Sequence, residues 1–130
     1  MVMHKLRFSV VPGSFAVSRL TPGAAVAEWM HSGTFFCVTR TSEELSVVSL
    51  AASVPLEVQS ETGWACLKLH GPFPFQLTGI LASFLDPLAH AGIPIFALST
   101  FDTDYIPIKN QHQERTLATL IDAGHELVAN

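Results

Sequence analysis

The fold is decided by residues 76–92, QLTGILASFLDPLAHAG. Apolar side chains recur there at intervals of three and four, which predicts an amphipathic helix over residues 76–91 that ends at Gly92. Pro87 removes one helix hydrogen bond and crowds the preceding turn, so we expect a kink near residues 83–86. The neighbouring segments can be placed outward from this helix.

The segments around this helix complete an alternating pattern. They are predicted strands at residues 64–69, 94–98, 105–109 and 125–128, and a second helix between Asn110 and Gly124. Asn110, with Gln113 three residues later, resembles a capping box, and Gly124 is suited to end a helix. The order strand, helix, strand, strand, helix, strand predicts an α+β fold, a ferredoxin-like βαββαβ sandwich with one antiparallel sheet backed by helices.

The N-terminal half is predicted to be rich in strands and poor in helix. Its predicted elements are strands at residues 6–11, 15–20, 35–39, 45–50 and 54–57, and one short helix from Thr21-Pro22 to Gly33. The first two strands would form a hairpin around residues 12–14, and residues 59–63 would be a polar connection. We therefore expect a strand-rich half of residues 1–62 and a C-terminal domain of residues 63–130, which complete one another across a shared sheet or a packed interface.

The composition argues against several classes of protein. Hydrophobic residues make up 48% of the chain and charged residues 14%, which predicts a globular protein with a sizeable core. A net charge of -4 without any cluster of Lys or Arg argues against a nucleic-acid partner. Apolar runs stay shorter than a membrane span, and two cysteines are too few for a secreted disulfide framework. We expect a cytoplasmic protein with no membrane partner.

The first candidate binding element is the loop at residues 98–105, LSTFDTDY. Its candidate ligand-binding residues are Ser99, Thr100, Phe101, Asp102 and Asp104. The carboxylates could hold an ammonium or guanidinium group, the hydroxyls could bond a polar headgroup, and the aromatic ring could form a pocket wall. The alternative is a solvated turn, since Asp and Thr favour turns by bonding their own backbone. The residues alone leave both interpretations open.

The second candidate is Thr78, Gly79 and Ile80, early in the predicted helix. A glycine among strong helix formers costs about 1 kcal/mol, which indicates a close approach by backbone or ligand. Free backbone N–H groups at a helix start would attract a carboxylate, whereas the alternative is packing of the helix on the sheet. An amino acid would suit both candidates, with its carboxylate at the helix start and its amino group at the aspartates.

The sequence contains no recognisable motif for catalysis, a metal or a cofactor. Its six histidines form no i, i+4 pair, and the two aspartates of the loop lack a third ligand at a recognisable spacing. Nucleophile elbows, phosphate-binding glycine loops and dinucleotide fingerprints do not occur. A convergent set of Ser99, His70 and Asp104 is conceivable, but nothing local favours it. We therefore expect no enzyme, no catalytic residues, no metal and no cofactor.

Three segments carry a resemblance to a known family. Residues 77–81, LTGIL, residues 91–96, AGIPIF, and residues 99–106 resemble small bacterial ACT-domain proteins, over roughly half of the chain. These are similar to the tandem ACT lobes of the eukaryotic cytosolic arginine sensor and to the regulatory ACT domains of aspartate kinases. The resemblance implies two ACT-like halves, a regulatory or sensor role without catalysis, and a homo-oligomer such as a dimer. The implied ligand is an amino acid or similar small metabolite at an interface between ACT units, contacted by the loop after the first strand and by the loop of residues 99–105.

The resemblance implies a role in ligand binding for Gly79, Ile80, Thr100, Phe101 and Asp104. One departure is proline at position 107, where the resembling sequences usually have leucine or valine. Proline cannot donate to a sheet, so this position is expected at an edge or a bulge. The alternative function is a protein-protein interaction module that recruits a partner through its sheet edges and binds no ligand.

Overall fold

The structure is a computed structural model that describes residues 4–74 and 76–130. Its described residues form the strands β1 Arg7–Leu20, β2 Cys37–Arg40, β3 Leu45–Leu50, β4 Gln59–Leu69, β5 Leu98–Ser99, β6 Asp104–Lys109 and β7 Glu126–Leu127, and the helices α1 Ile80–His90 and α2 Gln113–Asp122. Short 3-10 helices lie at Glu28–His31, Ala51–Ser53 and Asn110–His112. None of the described helices has the length and apolarity needed to cross a membrane.

The chain divides into two compact units. One unit, called the C-terminal unit below, joins the residues up to Pro12 with Ala65–Asn130, and the other, the inserted unit, is Gly13–Trp64. Strands β1 and β4 therefore contribute one segment to each unit. This grouping differs from the contiguous parts 1–62 and 63–130, because the first segment of β1 belongs with the C-terminal residues. The division into two domains at 62/63 stays a prediction.

The C-terminal unit has the predicted α+β order with one additional strand. Its strands follow one another in the order β7, β1, β4, β6, β5. The first segment of β1 pairs in parallel with β7, Arg7 opposite Glu126, so this pair departs from the expected antiparallel sheet. Strands β5 and β6 form an antiparallel hairpin, in agreement with the expected antiparallel sheet, with Ser99 opposite Asp104. The βαββαβ arrangement is thus present, with the N-terminal segment inserted between its first and last strands.

The core of the C-terminal unit lies between the sheet and the apolar stripe of α1. Ile80, Phe84 and Leu88 of that stripe are buried, as the spacing predicts. The rings of Phe8 and Phe84 meet edge to face with their centroids 5.3 Å apart, a favourable aromatic geometry. The other buried core residues include Leu6, Leu67, Leu69, Ile93, Ile106, Ile108 and Leu120. The stripe therefore fixes which face of α1 turns to the sheet.

The bounds of α1 differ from the prediction at its first turn. The helix begins at Ile80 and not at residue 76, because Gly79 has the left-handed backbone angles φ 81° and ψ 0° that interrupt a right-handed helix. Pro87 lies inside the helix and does not end it, and the Ala91 N–H bonds the Pro87 carbonyl at 3.1 Å. The end is as predicted, with Gly92 at φ 72° after His90.

The elements after α1 are shorter than predicted. The strand expected at residues 94–98 is reduced to Leu98–Ser99 and an isolated bridge from Ile95 to Ile108. Pro107 explains the gap: its carbonyl accepts from the Phe96 N–H at 3.4 Å, so its missing N–H would have faced the same neighbour. Pro107 is buried inside β6 and not on an edge strand, but it interrupts the ladder as expected of proline.

The second helix and the last strand also have revised bounds. Asn110 opens a 3-10 turn and does not cap α2, whose N-cap residue His112 makes no side-chain cap bond. The capping-box prediction is therefore wrong, although Gly124 at φ 98° follows the helix end as expected. The terminal strand covers Glu126–Leu127 and not residues 125–128.

In the inserted unit, the predicted hairpin at residues 12–14 is wrong. Strand β1 runs through these residues without a turn, and its residues Phe15–Leu20 pair antiparallel with Leu45–Leu50 of β3. Proline and glycine are tolerated because Gly13 takes φ +118°, a conformation that glycine alone adopts easily. The pairing with a distant strand therefore outweighs the local turn signal.

Three other expectations for this half are wrong. The helix predicted from Thr21 to Gly33 is reduced to the 3-10 turn Glu28–His31. Before it, the Ala24 N–H closes a turn on the Thr21 carbonyl, and the Arg40 guanidinium donates to the carbonyls of Pro22 and Ala24. Residues 54–57 form no strand, whereas the supposed polar connection at residues 59–63 is the start of β4. At residues 59–63 the polar composition was misleading, because four of these five positions are exposed in β4.

The unbroken course of β1 can be tested at Gly13. We expect Gly13→Ala to lower the free energy of unfolding by about 1–2 kcal/mol, because a side chain is strained at this φ. Its Cβ would also lie 3.0 Å from Cδ2 of Leu50. The control is Gly23→Ala, whose Cβ would meet nothing within 4 Å and which should change stability by less than about 0.5 kcal/mol. Denaturant unfolding measures both variants, and equal losses would contradict the assignment.

Candidate functional site

A cavity of about 300 Å3 lies between the start of α1 and the β5–β6 hairpin. We call it the α1–β6 cavity. It brings together Gly79 and Ile80 from one predicted candidate and Ser99 and Asp104 from the other. Its remaining lining residues are Phe73, Pro74, Leu77, Leu81 and Ala82. The two segments singled out from the sequence therefore meet at one place in the C-terminal unit.

The helix start supplies hydrogen-bond donors to this cavity. Gly79 is the N-cap residue and makes no side-chain cap bond. The first intrahelical bond runs from the Ser83 N–H to the Gly79 carbonyl at 2.9 Å. The N–H groups of Ile80, Leu81 and Ala82 therefore have no bonding partner among the described residues. Together with the helix dipole they make this side of the cavity attractive to an anion.

The hairpin supplies one carboxylate to the same cavity. Ser99 and Asp104 face each other across the β5–β6 pair, and the Ser99 hydroxyl donates to Oδ1 of Asp104. No described residue bonds the other oxygen, Oδ2. Asp104 is half-buried and is the charged residue of the cavity lining. The cavity thus offers free donors on one side and a free anionic acceptor on the other.

Thr100 belongs to the turn that holds the hairpin. Its N–H donates to the Thr103 carbonyl at 2.8 Å, and its hydroxyl accepts from the Thr103 N–H at 3.2 Å. The Thr103 hydroxyl is buried and donates to the Leu69 carbonyl at 2.7 Å, which ties the turn to β4. Thr100 does not line the α1–β6 cavity. Its contacts match the alternative interpretation of the loop as a turn.

Phe101 and Asp102 line a separate cavity of about 370 Å3, together with Phe73 and Gln76. The Phe101 side chain is 81% exposed at the tip of the hairpin. The Asp102 carbonyl accepts from the Phe73 N–H at 3.0 Å, so the turn is also fixed to the loop after β4. Four of the eight predicted binding residues therefore share the α1–β6 cavity. A role in binding stays a prediction for all eight.

The remaining candidate, Thr78, lies just outside the cavity. Its side chain is exposed, and its carbonyl accepts from Nε2 of His4 at 3.0 Å. This bond joins the loop before α1 to the N-terminal segment of the C-terminal unit. Thr78 therefore holds the backbone next to the cavity, and its hydroxyl does not line the cavity.

The apolar wall of the cavity was not named from the sequence. Phe73 and Pro74 belong to the loop after β4, and Leu77 and Leu81 lie on either side of the helix start. The usable signal was the run PFPF at residues 72–75, because adjacent large apolar residues are unusual in an exposed loop. Phe75 itself lies outside the described residues.

The two thiols of the chain differ in environment. Cys66 is buried in β4, and this burial raises the pKa of its thiol to about 12, so it stays protonated at neutral pH. Cys37 in β2 is partly exposed. Neither lines the α1–β6 cavity. Among the described residues, no three His, Cys, Asp or Glu side chains come together as a metal site would require.

The ACT domain model matches residues 59–122, a segment that contains every lining residue of the α1–β6 cavity. The chain belongs to the ACT-domain family. A second family model, for an N-terminal domain, matches residues 13–57, which nearly coincides with the inserted unit. No curated protein matches the chain in sequence.

Solved structures of similar fold extend over almost the whole ACT protein. Protein Atu0741 from Agobacterium tumefaciens is 38% identical, with a TM-score of 0.92 over 98% of this chain and 95% of that one. VC0802 from Vibrio cholerae, a protein of unknown function, is 16% identical with a TM-score of 0.75, over 92% of this chain and 91% of its own. The regulatory subunit of aspartate kinase from Thermus thermophilus is 10% identical with a TM-score of 0.60, over 89% and 96%. The ACT-type, ferredoxin-like fold predicted from the sequence is thereby confirmed.

The anchoring of the hairpin can be tested at Thr103. We expect Thr103→Val to lower the free energy of unfolding by about 1–3 kcal/mol, because the change removes the buried bond to the Leu69 carbonyl. The matched control is Thr119→Val, which removes a hydroxyl bonded to the carbonyl of Arg115 within α2 and should cost less than about 0.5 kcal/mol. Thermal or denaturant unfolding compares the two, and a Thr103 variant as stable as the native protein would refute the anchor.

Proposed function

We propose that this ACT protein is a non-catalytic regulatory module that binds a free amino acid in the α1–β6 cavity. The observation that carries the proposal is that one cavity lining contains two kinds of group that no described residue bonds: the N–H groups of the first turn of α1 and Oδ2 of Asp104. A free amino acid carries a carboxylate and an ammonium group on one carbon. The cavity offers a counterpart to each.

In the proposed complex, the ligand carboxylate accepts hydrogen bonds from the N–H groups of Ile80, Leu81 and Ala82. The ligand ammonium donates to Oδ2 of Asp104, while Ser99 keeps Oδ1 in place. Both contacts are charge-assisted, which makes them stronger than bonds between neutral groups. Such a site discriminates against amines and carboxylic acids that have only one of the two charges.

The rest of the lining favours an apolar side chain on the ligand. The remaining wall is formed mostly by Phe73, Pro74, Leu77 and Leu81, and none of the described lining residues is cationic. A charged ligand side chain would lose hydration there without gaining a partner. The volume of about 300 Å3 suits a small metabolite. We therefore propose an aliphatic amino acid such as L-leucine.

The family and the fold support the regulatory, ligand-binding part of this proposal. The similar aspartate kinase subunit is regulatory by its description, and at 10% identity that likeness concerns the fold alone. We also propose that the protein has no catalytic activity, is cytoplasmic and forms a homo-dimer. A second copy could add a strand at β5, the last strand in the order of the C-terminal unit's sheet.

A thermal-shift panel of the twenty L-amino acids tests the proposal. We expect leucine, isoleucine, valine and methionine to raise the melting temperature, and lysine, arginine, aspartate and glutamate to leave it unchanged. A ligand at 100 times its dissociation constant should stabilise the fold by about 2.7 kcal/mol. A melting temperature that no amino acid changes would refute the proposal and favour the interaction module.

The site of any response can be located with a matched pair of variants. Asp104→Asn keeps an acceptor for Ser99 but removes the charge, so it should weaken binding about tenfold or more. Asp102→Asn removes a neighbouring carboxylate that lines the other cavity, and it should leave binding unchanged. Titration calorimetry with L-leucine measures both. Equal affinities of the two variants would place the ligand elsewhere.

A further inference from the structure

A buried histidine takes the place of a missing helix bond in α1. Pro87 has no N–H, so the Ser83 carbonyl, four residues earlier, lacks its usual helix donor. Nε2 of His125 lies 2.9 Å from that carbonyl oxygen, which can only accept, so Nε2 carries the proton. The histidine therefore completes a bond that the helix cannot make.

The other ring nitrogen of His125 has the opposite role. The Leu6 N–H donates to Nδ1 at 3.1 Å, so Nδ1 must be unprotonated. His125 is only 4% exposed, and its ring lies against Phe84 with centroids 5.3 Å apart. These contacts require the neutral imidazole with its proton on Nε2. A second proton on Nδ1 would point at the Leu6 N–H and break that bond.

Ser83 links this histidine to the start of α1. Both its N–H and its hydroxyl donate to the Gly79 carbonyl, at 2.9 Å and 2.6 Å. The same hydroxyl accepts from the His4 N–H at 2.8 Å. Gly79 lines the α1–β6 cavity and precedes the first-turn N–H groups. A continuous set of bonds thus runs from His125 through Ser83 to the cavity.

We infer that the neutral imidazole of His125 holds the first turn of α1 in position. Its protonation then shifts this turn and weakens ligand binding in the α1–β6 cavity. The effect on ligand affinity rests on the function proposed above. The effect on the first turn does not, because it follows from bonds within the C-terminal unit.

The surroundings of His125 favour its neutral form. Burial is the main cause that lowers the pKa of its imidazole, the Ser83 carbonyl opposes this, and the Lys5 ammonium adds to the lowering. On the neighbouring strands, Arg7 and Glu126 pair with each other at 3.5 Å and both side chains are about two-thirds exposed. At the end of α2, the Asp122 side chain is exposed to solvent.

The sign of the pH effect follows from this lowered pKa. Below the ordinary histidine pKa of about 6.5, the unfolded chain takes up the proton before the folded protein does. The contribution of His125 to stability is therefore complete above that pH and is lost as the pH falls through the folded-state pKa. His70 has a lowered pKa through burial and the charges of Lys68 and Arg7, and so contributes with the same sign. A residue-specific measurement is needed to separate the two.

The test follows the histidine ring and the backbone amide signals of Leu6 and Ile80 by NMR from pH 8 to pH 4.5 in the ligand-free protein. We expect the two amides to titrate together with the His125 ring, at a pH below 6.5. His125→Gln retains a donor and an acceptor but does not titrate, so the response of both amides should vanish. His70→Gln is the matched control, because His70 bonds the Ser9 hydroxyl and not α1, and it should retain the response.

Two results would overturn the inference. One is an Ile80 amide that titrates unchanged in His125→Gln, and the other is a flat Ile80 signal while His125 takes up its proton. If the glutamine variant does not fold, Pro87→Ala replaces it: alanine returns an N–H to the Ser83 carbonyl, so the Ile80 response should be much reduced.

The ligand arm separates this inference from the proposed function. The dissociation constant for L-leucine should rise between pH 7.5 and a pH below the His125 pKa found by NMR in the native protein, but not in His125→Gln. In one outcome, the amides of the native protein respond to pH while L-leucine binds at neither pH. This result supports the role of His125 in holding the first turn and refutes the amino-acid site. Binding of L-leucine that is independent of pH while the amides titrate overturns the link to the cavity.

Discussion

The backbone of Gly79 determines where α1 starts, and the site depends on that position. Its left-handed angles, φ 81° and ψ 0°, stop the helix from extending back toward residue 76. A side chain at such angles would cost about 1–2 kcal/mol, so glycine is the suitable residue. Because the helix starts here, three N–H groups open beside the cavity that Asp104 also lines. If α1 began one turn earlier, its first-turn N–H groups would lie in the loop after β4.

The position of α1 on the sheet has two independent supports. Phe84 packs edge to face on Phe8, which fixes the buried face of the helix but tolerates small displacements along it. Hydrogen bonds are directional, and His125 adds two of them, to Ser83 and to Leu6. Pro87 makes this arrangement necessary, because it leaves a buried carbonyl without a helix donor. Apolar packing thus determines which face of α1 is buried, and the two bonds of His125 determine the position of its first turn along the sheet.

Local periodicity predicted the elements whose partners are close in sequence. The stripe of α1 and the order of the strands that follow it were predicted from spacing, whereas the pairing of Ser99 with Asp104 was not. Together these elements bring half of the candidate residues to one cavity. The course of β1 could not be predicted in this way, because its pairing with β3 and β7 is decided by segments distant in the chain. The apolar wall at Phe73 was missed for a related reason, since a loop conformation has no period. Sequence spacing likewise gave no sign that His125 reaches Ser83, 42 residues away.

In the proposed complex, the first turn of α1 binds the carboxylate of an amino acid. Mapping of backbone amide shifts in uniformly 15N-labelled protein on addition of L-leucine tests it most directly. We expect the largest changes at the amides of Ile80, Leu81 and Ala82, because their N–H groups would form new hydrogen bonds. Saturation binding that leaves these three amides unmoved, with the changes confined to other residues, would contradict it.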